Sequence, residues 1–145
     1  REDGDGRLEI KPPRHEVSAS FSPDRAALAM DGDSGTRWAS AHPQEGGMEF
    51  TVRFETAATL RGIEYDMGRW AHDYPRALSI DLELASGEIR HLLKTDEYQA
   101  VRYFTQYEGQ VRFVFNPLEI KKVIMRQSGS HPVFDWSIAE LRFYR

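Results

Sequence analysis

The chain has 145 residues, of which 40% are hydrophobic and 29% charged, and these values fit one globular domain and exclude a disordered chain. The formal net charge is −4 and the basic residues are scattered, so we expect no nucleic-acid partner. The absence of cysteine excludes disulfides, thiolate zinc sites and cysteine nucleophiles, and no apolar run approaches the roughly 18 residues of a membrane span.

The first 14 residues predict a linker or N-terminal extension. Residues 1–6 are charged and glycine-rich, and Pro12-Pro13 interrupts any regular element. Asp3-Gly4-Asp5-Gly6 faintly resembles a calcium loop but lacks the distal glutamate of an EF-hand. We therefore expect the domain at residues 15–145. Because the chain begins with Arg1 and not Met, we also expect a piece of a longer protein whose targeting segment is missing.

The remaining sequence predicts short strands and almost no helix. Residues 15–21 have strand-like character, while Pro23 suits the first position of a short helix over 23–30. Apolar and polar residues then alternate, as in half-buried strands. The predicted strands are 15–21, 48–54, 60–67, 78–84, 88–94, 111–115, 120–126 and 136–144. This pattern favours an all-β fold, an antiparallel β-sandwich or jelly roll.

One loop, within residues 26–40, combines carboxylates, hydroxyls and glycines ahead of Trp38. Asp31, Asp33 and the neighbouring hydroxyls supply oxygen atoms, and the glycines allow a closely wrapped backbone. Such an arrangement suits a hard cation such as Ca²⁺. An ordinary Asx-type turn between two elements explains the same residues, and both interpretations stay open at this point.

Four segments, in order, resemble the discoidin domains, also called coagulation factor V/VIII type C domains, which include the family 32 carbohydrate-binding modules. These segments are 29–40, 50–54, 74–76 and 136–144. The resemblance covers about residues 15–145 and implies a galactose-binding-domain-like jelly roll, in agreement with the strand pattern. Trp38 and Trp136 lie inside these segments, and we expect both in the core.

The resemblance also implies a structural calcium ion between the first loop and the last strand. The implied ligands are the carbonyls of Leu28 and Ala139 together with side chains of Asp31, Asp33, Thr36 and Glu140. Six oxygen atoms fit a cation that takes 6–8 of them. The alternative is that Glu140 meets only water or an arginine.

Residues 68–74 are the strongest candidate for a ligand surface. They bring an indole, a phenol, an imidazole, a guanidinium and a carboxylate into seven positions, which suits a pyranose. Two other polar loops, 41–45 and 127–131, are expected to line the same cleft. The candidate ligand residues are Arg69, Trp70, His72, Asp73, His42, Gln44, Arg126 and His131. The alternative is that Trp70 caps the core and that 74–76 is scaffold.

No motif indicates catalysis, since no serine has a nucleophile-elbow context and the five histidines lack metal-ligand spacing. The sequence therefore predicts a non-catalytic carbohydrate-binding module, appended to a larger, bacterial, extracytoplasmic protein. Two alternatives are a structural or protein-interaction module without a sugar site and a phospholipid-binding domain. Phospholipid binding needs exposed rings beside basic groups. Phe104 and Tyr107, with Arg102 nearby, are the only candidates, and Glu108 and the acidic net charge argue against it. Residues 102–116 have no counterpart in the family pattern, and we expect an extra hairpin there.

Overall fold

The computed structural model describes residues 6–145, so the acidic segment at residues 3–5 lies outside the described part. Within it the chain forms nine strands and three helical segments. The strands are β1 Glu9–Ile10, β2 His15–Ala19, β3 Trp38–Pro43, β4 Met48–Asp66, β5 Leu78–Leu84, β6 Ile89–Leu93, β7 Gln110–Gln127, β8 Asp135–Ile138 and β9 Glu140–Tyr144. The helical segments are two 3-10 helices, Pro23–Met30 and Ala71–Asp73, and helix α1, Thr95–Tyr103, which Phe104–Glu108 continues as a π-helical turn.

All strand pairs are antiparallel. The larger sheet has the order β1-β9-β4-β7-β5-β6, with β2 also pairing with β4, and β3 pairs with β8 in a second sheet. The predicted all-β fold is confirmed. The predicted strands 48–54 and 60–67 are one strand in the structure, as are 111–115 and 120–126, whereas 136–144 is divided into β8 and β9.

The long ribbon of β4 and β7 folds back on itself to make the sandwich. Phe54 and Ile63 are nine residues apart, which is about 30 Å along an extended strand. Nevertheless the ring of Phe54 lies 5.4 Å from that of Phe143, which is the register partner of Ile63. Pairing between β4 and β7 is interrupted after Arg53 and resumes at Ala58, so the bend lies between them. Both ends of β4 therefore reach the same end of the sandwich, which we call the loop end.

The core lies between the two halves of this ribbon and the β3–β8 pair. Trp38 and Trp136 are fully buried, as predicted, with their rings 5.0 Å apart and nearly perpendicular. The indole N–H of Trp136 donates to the hydroxyl of Tyr65 at 3.1 Å, and that hydroxyl donates to the carbonyl of Ser137 at 2.5 Å. Burial raises the pKa of Tyr65 well above its usual value. The polar atoms of the two aromatic side chains are thus satisfied inside the core.

The segment after β6 was predicted wrongly. Residues 95–108 are helical, whereas the sequence predicted an extra hairpin over 102–116. Glu97 accepts a hydrogen bond from the backbone N–H of Lys94 at 2.7 Å and so caps the first turn of α1. Tyr98 buries its ring below the helix, and its hydroxyl donates to the carbonyl of Pro75 at 2.5 Å. The helix is therefore fixed to the turn that precedes β5.

The first and last described strands are neighbours. Strand β1 pairs with β9, and Leu8 and Arg145 exchange two backbone hydrogen bonds of 2.8 Å. Residues 8–10 of the predicted extension thus belong to the sheet. Arg145 lines a surface hollow together with Ala58 and Thr59, next to the bend. The Leu8–Arg145 pair therefore lies at the opposite end of the sandwich from the loop end. No helix in the described part of the chain is long and apolar enough to cross a membrane.

Candidate functional site

Three loops meet at the loop end. They are the loop that contains Gln44, the loop that leads from Trp70 to Arg76, and the loop that contains His131 and Phe134, and Gln44 joins them. Its side-chain NH₂ donates to the carbonyls of Tyr74 at 2.9 Å and Asp135 at 3.0 Å, and its side-chain oxygen accepts from the backbone N–H of Arg76 at 2.9 Å. The main chain of Gln44 exchanges further bonds with Phe134 and His131. Gln44 is 2% exposed, so this predicted ligand residue instead positions the loops around it.

An ion pair between the half-buried Arg37 and the buried Asp73 lies under the Trp70 loop. The carboxylate of Asp73 accepts hydrogen bonds of 2.5 Å from the guanidinium of Arg37 and from the hydroxyl of Ser137. Arg37 also donates to Ser137 at 2.9 Å. The side chain of Asp73 is 5% exposed, so it anchors the loop from below and does not face solvent. Its other oxygen lies 3.6 Å from Nε2 of His72.

The half-buried Trp70 borders a groove of about 380 Å³ at this end of the fold. Two guanidinium groups, those of Arg37 and Arg69, each lie 4.8 Å from the centroid of its ring. The groove is lined by Arg25, Leu28, Gly35, Thr36, Arg37, Ala39, Ala41, Trp70 and Asp135. Burial and then the charge of Asp73 raise the pKa of Asp135. Arg37 and Asp135 were not among the predicted residues.

An irregularity in β3 shapes the wall of the groove. The register with β8 shifts between Ala39 and Pro43, and Ala41 has a φ of 55°, a left-handed conformation that costs a non-glycine residue energy. The hydroxyl of Ser40 stabilises the bulge, since it donates to the carbonyl of His42 at 2.7 Å and accepts from the N–H of Trp136 at 3.1 Å. Such bulges redirect side chains beside binding sites.

Of the three predicted histidines, none lines this groove. His131 accepts hydrogen bonds at Nδ1 from the backbone N–H groups of Val133 and Phe134, both at 3.0 Å, so it holds its own turn together. The rings of His72 and His131 lie 5.1 and 4.9 Å from that of Phe134. His42 is exposed and its Nδ1 donates to its neighbour's carbonyl. His72 is exposed as well, and it follows Trp70 by two residues.

Arg126 lies apart from the groove. On β7 it points to the opposite side from the buried Met125 and Gln127, and it pairs with Glu49 at 3.1 Å and Asp81 at 3.0 Å on the outer face of the sheet. The geometry therefore separates this predicted ligand residue from the others.

Of the six predicted calcium ligands, Asp31, Thr36 and Glu140 come together, although Glu140 lies more than 100 residues further along the chain. The buried carboxylate of Glu140 accepts hydrogen bonds of 3.1 and 3.2 Å from the backbone N–H of Gly32. Asp31 accepts a hydrogen bond from the hydroxyl of Thr36, and Asp33 accepts one from the N–H of Gly35 at 2.8 Å. Ala139 is buried next to Glu140, and Leu28 lines the neighbouring groove.

The electrostatics of this cluster fit a cation. Burial, followed by the neighbouring Asp31, raises the pKa of Glu140 to about 7. Partial burial acts to raise the pKa of Asp31 as well, but the hydrogen bonds from Thr36, the backbone N–H of Asp33 and Glu140 together outweigh it, and the pKa lies below its usual value. In residues 6–145 no group of three or more His, Asp and Glu side chains is arranged to hold a metal. A Ca²⁺ ion here would thus rely on carbonyl and hydroxyl oxygens besides Asp31 and Glu140, as Ca²⁺ sites commonly do.

Gly68 brings the loop at residues 31–36 and the Trp70 loop into contact. Its φ is +56°, and a Cβ atom at this position would lie 2.7 Å from the carbonyl oxygen of Ser34 and 3.2 Å from the Cβ of Ala139. No side chain fits between the two backbones, so the position of one loop fixes the other.

Comparison with known proteins supports the fold. No protein-family profile matches the chain, and no curated protein matches it. Among solved structures, chitosan-binding module 1 of a chitosanase/glucanase from Paenibacillus sp. IK-5 aligns over 93% of this chain and 98% of that chain, with a TM-score of 0.70 and 20% identity. A Clostridium perfringens CBM32 module, solved with GalNAc-β-1,3-galactose, aligns over 90% and 95%, with a TM-score of 0.66 and 15% identity.

A third similar structure is the CBM32 module of AlyQ, solved with 4,5-unsaturated mannuronic acid. It covers 88% of this chain and 92% of that chain, with a TM-score of 0.61 and 17% identity. At these identities the likeness shows the fold, and the fold is the β-sandwich of CBM32 modules.

Proposed function

We propose that this protein is a non-catalytic carbohydrate-binding module whose sugar site is the Trp70 groove. The observation that carries the proposal is the convergence of Trp70, Arg37 and Asp135 on one groove at the loop end. A pyranose that displaces the exposed side chain of Arg69 from the indole would stack its C–H groups on an apolar face, while the guanidinium of Arg37 and the carboxylate of Asp135 offer hydrogen bonds to hydroxyl groups.

The supporting structure is rigid, which favours binding. Asp73 fixes Arg37 from below through a hydrogen bond of 2.5 Å, and Gln44 holds three loops in place. A site whose side chains are already ordered loses little conformational entropy when a ligand binds. The similar solved structures, which are a chitosan-binding module and modules solved with GalNAc-β-1,3-galactose and 4,5-unsaturated mannuronic acid, agree with a glycan as the ligand.

We also propose that the cluster of Asp31, Thr36 and Glu140 holds a structural Ca²⁺ ion. The support is the contact between the carboxylates of Asp31 and Glu140, which lie far apart in the sequence. A bound cation would offset the repulsion between these two groups. Attachment to a larger extracytoplasmic protein stays a prediction.

The test is a glycan array followed by titration calorimetry with the sugars that bind. Trp70→Ala should weaken binding at least tenfold, which is about 1.4 kcal/mol. Asp135→Asn is the second variant, because it leaves the indole in place and removes only a charged partner. Arg126→Ala is the matched control, since its side chain lies on the outer face, and it should bind like wild type.

Two results would contradict the proposal. One is a wild-type protein that binds no sugar, galactosides included, at millimolar concentration, which would favour a protein-interaction module. The other is equal binding by wild type, Trp70→Ala and Asp135→Asn, which would place the sugar elsewhere.

A further inference from the structure

Three neighbouring aromatic rings are exposed on the helical segment after β6. Tyr103, Phe104 and Tyr107 are 58%, 41% and 67% exposed, and we call them the aromatic ridge. The ring of Tyr103 lies 5.8 Å from that of Phe104, nearly perpendicular, and 5.1 Å from that of Tyr107. The other large hydrophobic residues exposed in the described chain are aliphatic and scattered: Leu8, Ile89, Val114 and Val133. Isolated apolar residues need no explanation, whereas a contiguous aromatic patch marks a binding surface.

The ridge stands on a rigid support. Tyr98 is buried under it, and its hydroxyl is hydrogen-bonded to the carbonyl of Pro75 at 2.5 Å and to the hydroxyl of Thr105 at 2.7 Å. The hydroxyl of the buried Thr105 also lies 2.8 Å from the carbonyl of Arg102, and its single proton is donated either to that carbonyl or to the Tyr98 hydroxyl. The exposed rings are therefore held in place, and ligand binding costs little conformational entropy of their backbone.

The ridge adjoins the loop that carries Trp70. Gly109 ends the π-helical turn with a φ of 73°, and its carbonyl accepts from the N–H of Met67 at 2.7 Å. A Cβ on Gly109 would lie 3.3 Å from the carbonyl oxygen of Gly68 and 3.6 Å from the Cβ of Ala71. The backbone of the ridge and the backbone of the Trp70 loop are thus in direct contact.

We propose that the aromatic ridge is a second sugar-stacking surface, so that the module binds several consecutive residues of a neutral polysaccharide. This inference rests on the carbohydrate-binding function proposed above and deepens it by naming the class of glycan. The phenol groups of Tyr103 and Tyr107 make no hydrogen bond with any described residue and can bind sugar hydroxyls. Stacking at two places on one chain adds affinity because the second contact is intramolecular.

The surroundings of the ridge favour a neutral glycan over other partners. Asp96, Glu97 and Glu108 are exposed near it and oppose an anionic membrane or an acidic polysaccharide. The guanidinium of Arg102 is directed toward the ring of Tyr74, 5.7 Å away. The three rings together expose roughly 300 Å², given about 150–250 Å² for an aromatic side chain. A stable protein partner needs roughly 800 Å² on each side.

The experiment measures how affinity depends on glycan length. Galacto-, cello- and xylo-oligosaccharides are titrated by calorimetry as disaccharide, tetrasaccharide and hexasaccharide, with wild type and with the double variant Tyr103→Ala/Tyr107→Ala. For the series that binds, wild-type affinity should rise at least tenfold from disaccharide to hexasaccharide. The double variant should bind the disaccharide like wild type and lose the rise. Ile89→Ala, an exposed apolar residue on β6, is the control and should keep the rise.

The outcomes are distinguishable. A wild-type affinity that does not depend on length, or a double variant that keeps the rise, would overturn the inference and leave carbohydrate binding intact. Absence of binding in every series would overturn the inference, while the glycan array decides the proposed function separately. Sedimentation with phosphatidylcholine vesicles is the second readout, and co-sedimentation that is lost in the double variant would assign the ridge to membranes instead.

Discussion

Replacing Gln44 tests whether one buried amide holds the loop end together. Gln44→Ala removes three hydrogen bonds of 2.9 to 3.0 Å, to the main chain of Tyr74, Asp135 and Arg76. Each is worth about 1 kcal/mol net, and the side chain is 2% exposed, so no water replaces it easily. We expect the free energy of unfolding to fall by about 3 kcal/mol, with a parallel loss of any glycan affinity of the Trp70 groove.

Urea denaturation followed by tryptophan fluorescence measures this change. Gln99→Ala, at an exposed position on α1, is the matched control and should change stability by less than about 0.5 kcal/mol. Gln44→Glu keeps the shape but turns a carboxylate oxygen toward two carbonyls, which raises its pKa in the folded state. Its stability relative to wild type should therefore improve as the pH is lowered. If Gln44→Ala is as stable as the Gln99 control, the reasoning about this residue is wrong.

The remaining predictions concern three other positions. Asp73→Ala should lower the free energy of unfolding by about 3 kcal/mol, because it leaves its guanidinium partner without a counter-charge, and a smaller loss than for an exposed acid would refute the buried pair. Gly68→Ala should destabilise the protein more than Gly87→Ala in the same urea assay, since both have positive φ but only the Cβ at 68 meets a carbonyl, at 2.7 Å; equal losses would contradict this. Adding Ca²⁺ to chelator-treated protein should raise its Tm, and Glu140→Gln should abolish the rise. In the presence of chelator, Tm should fall between pH 6 and pH 8. The reason is that the pKa of Glu140 is about 7 in the folded state and an ordinary 4.5 in the unfolded state, so the folded state loses its extra proton in this range. A Tm that rises over this range would contradict the assignment.

The strands were predictable because their signal is local. Met48, Phe50 and Val52 alternate with polar residues, and the pleat sends such residues to opposite faces whatever the rest of the chain does. The merging of predicted strands was not predictable, because it depends on the bend near residues 54–57. Helix α1 offered a weak signal, since Asp96 and Glu97 occupy its first turn as helix starts prefer.

The candidate site was predictable only in part, because burial depends on contacts between distant segments. The mixture of residue types indicated the Trp70 loop, but nothing local distinguishes Asp73, which is buried, from His72, which is exposed. Arg37 was missed because its partner Asp73 lies 36 residues further along the chain. The contact between the loop at Gly32 and Glu140 spans 108 residues and was expected from the family resemblance alone.

The pairing of Leu8 with Arg145 has a consequence for how this domain can be joined to others. Leu8 and Arg145 are adjacent, next to the bend of the β4–β7 ribbon, so two segments of chain joined to the domain at these residues would start from neighbouring points on its surface. The Trp70 groove and the aromatic ridge lie at the far end of the sandwich. A neighbouring domain attached at this point would stand behind the Trp70 groove and the aromatic ridge and would leave both accessible. The same arrangement lets the domain be inserted into a loop of another protein at little cost, because entry and exit are already one hydrogen-bonded pair apart.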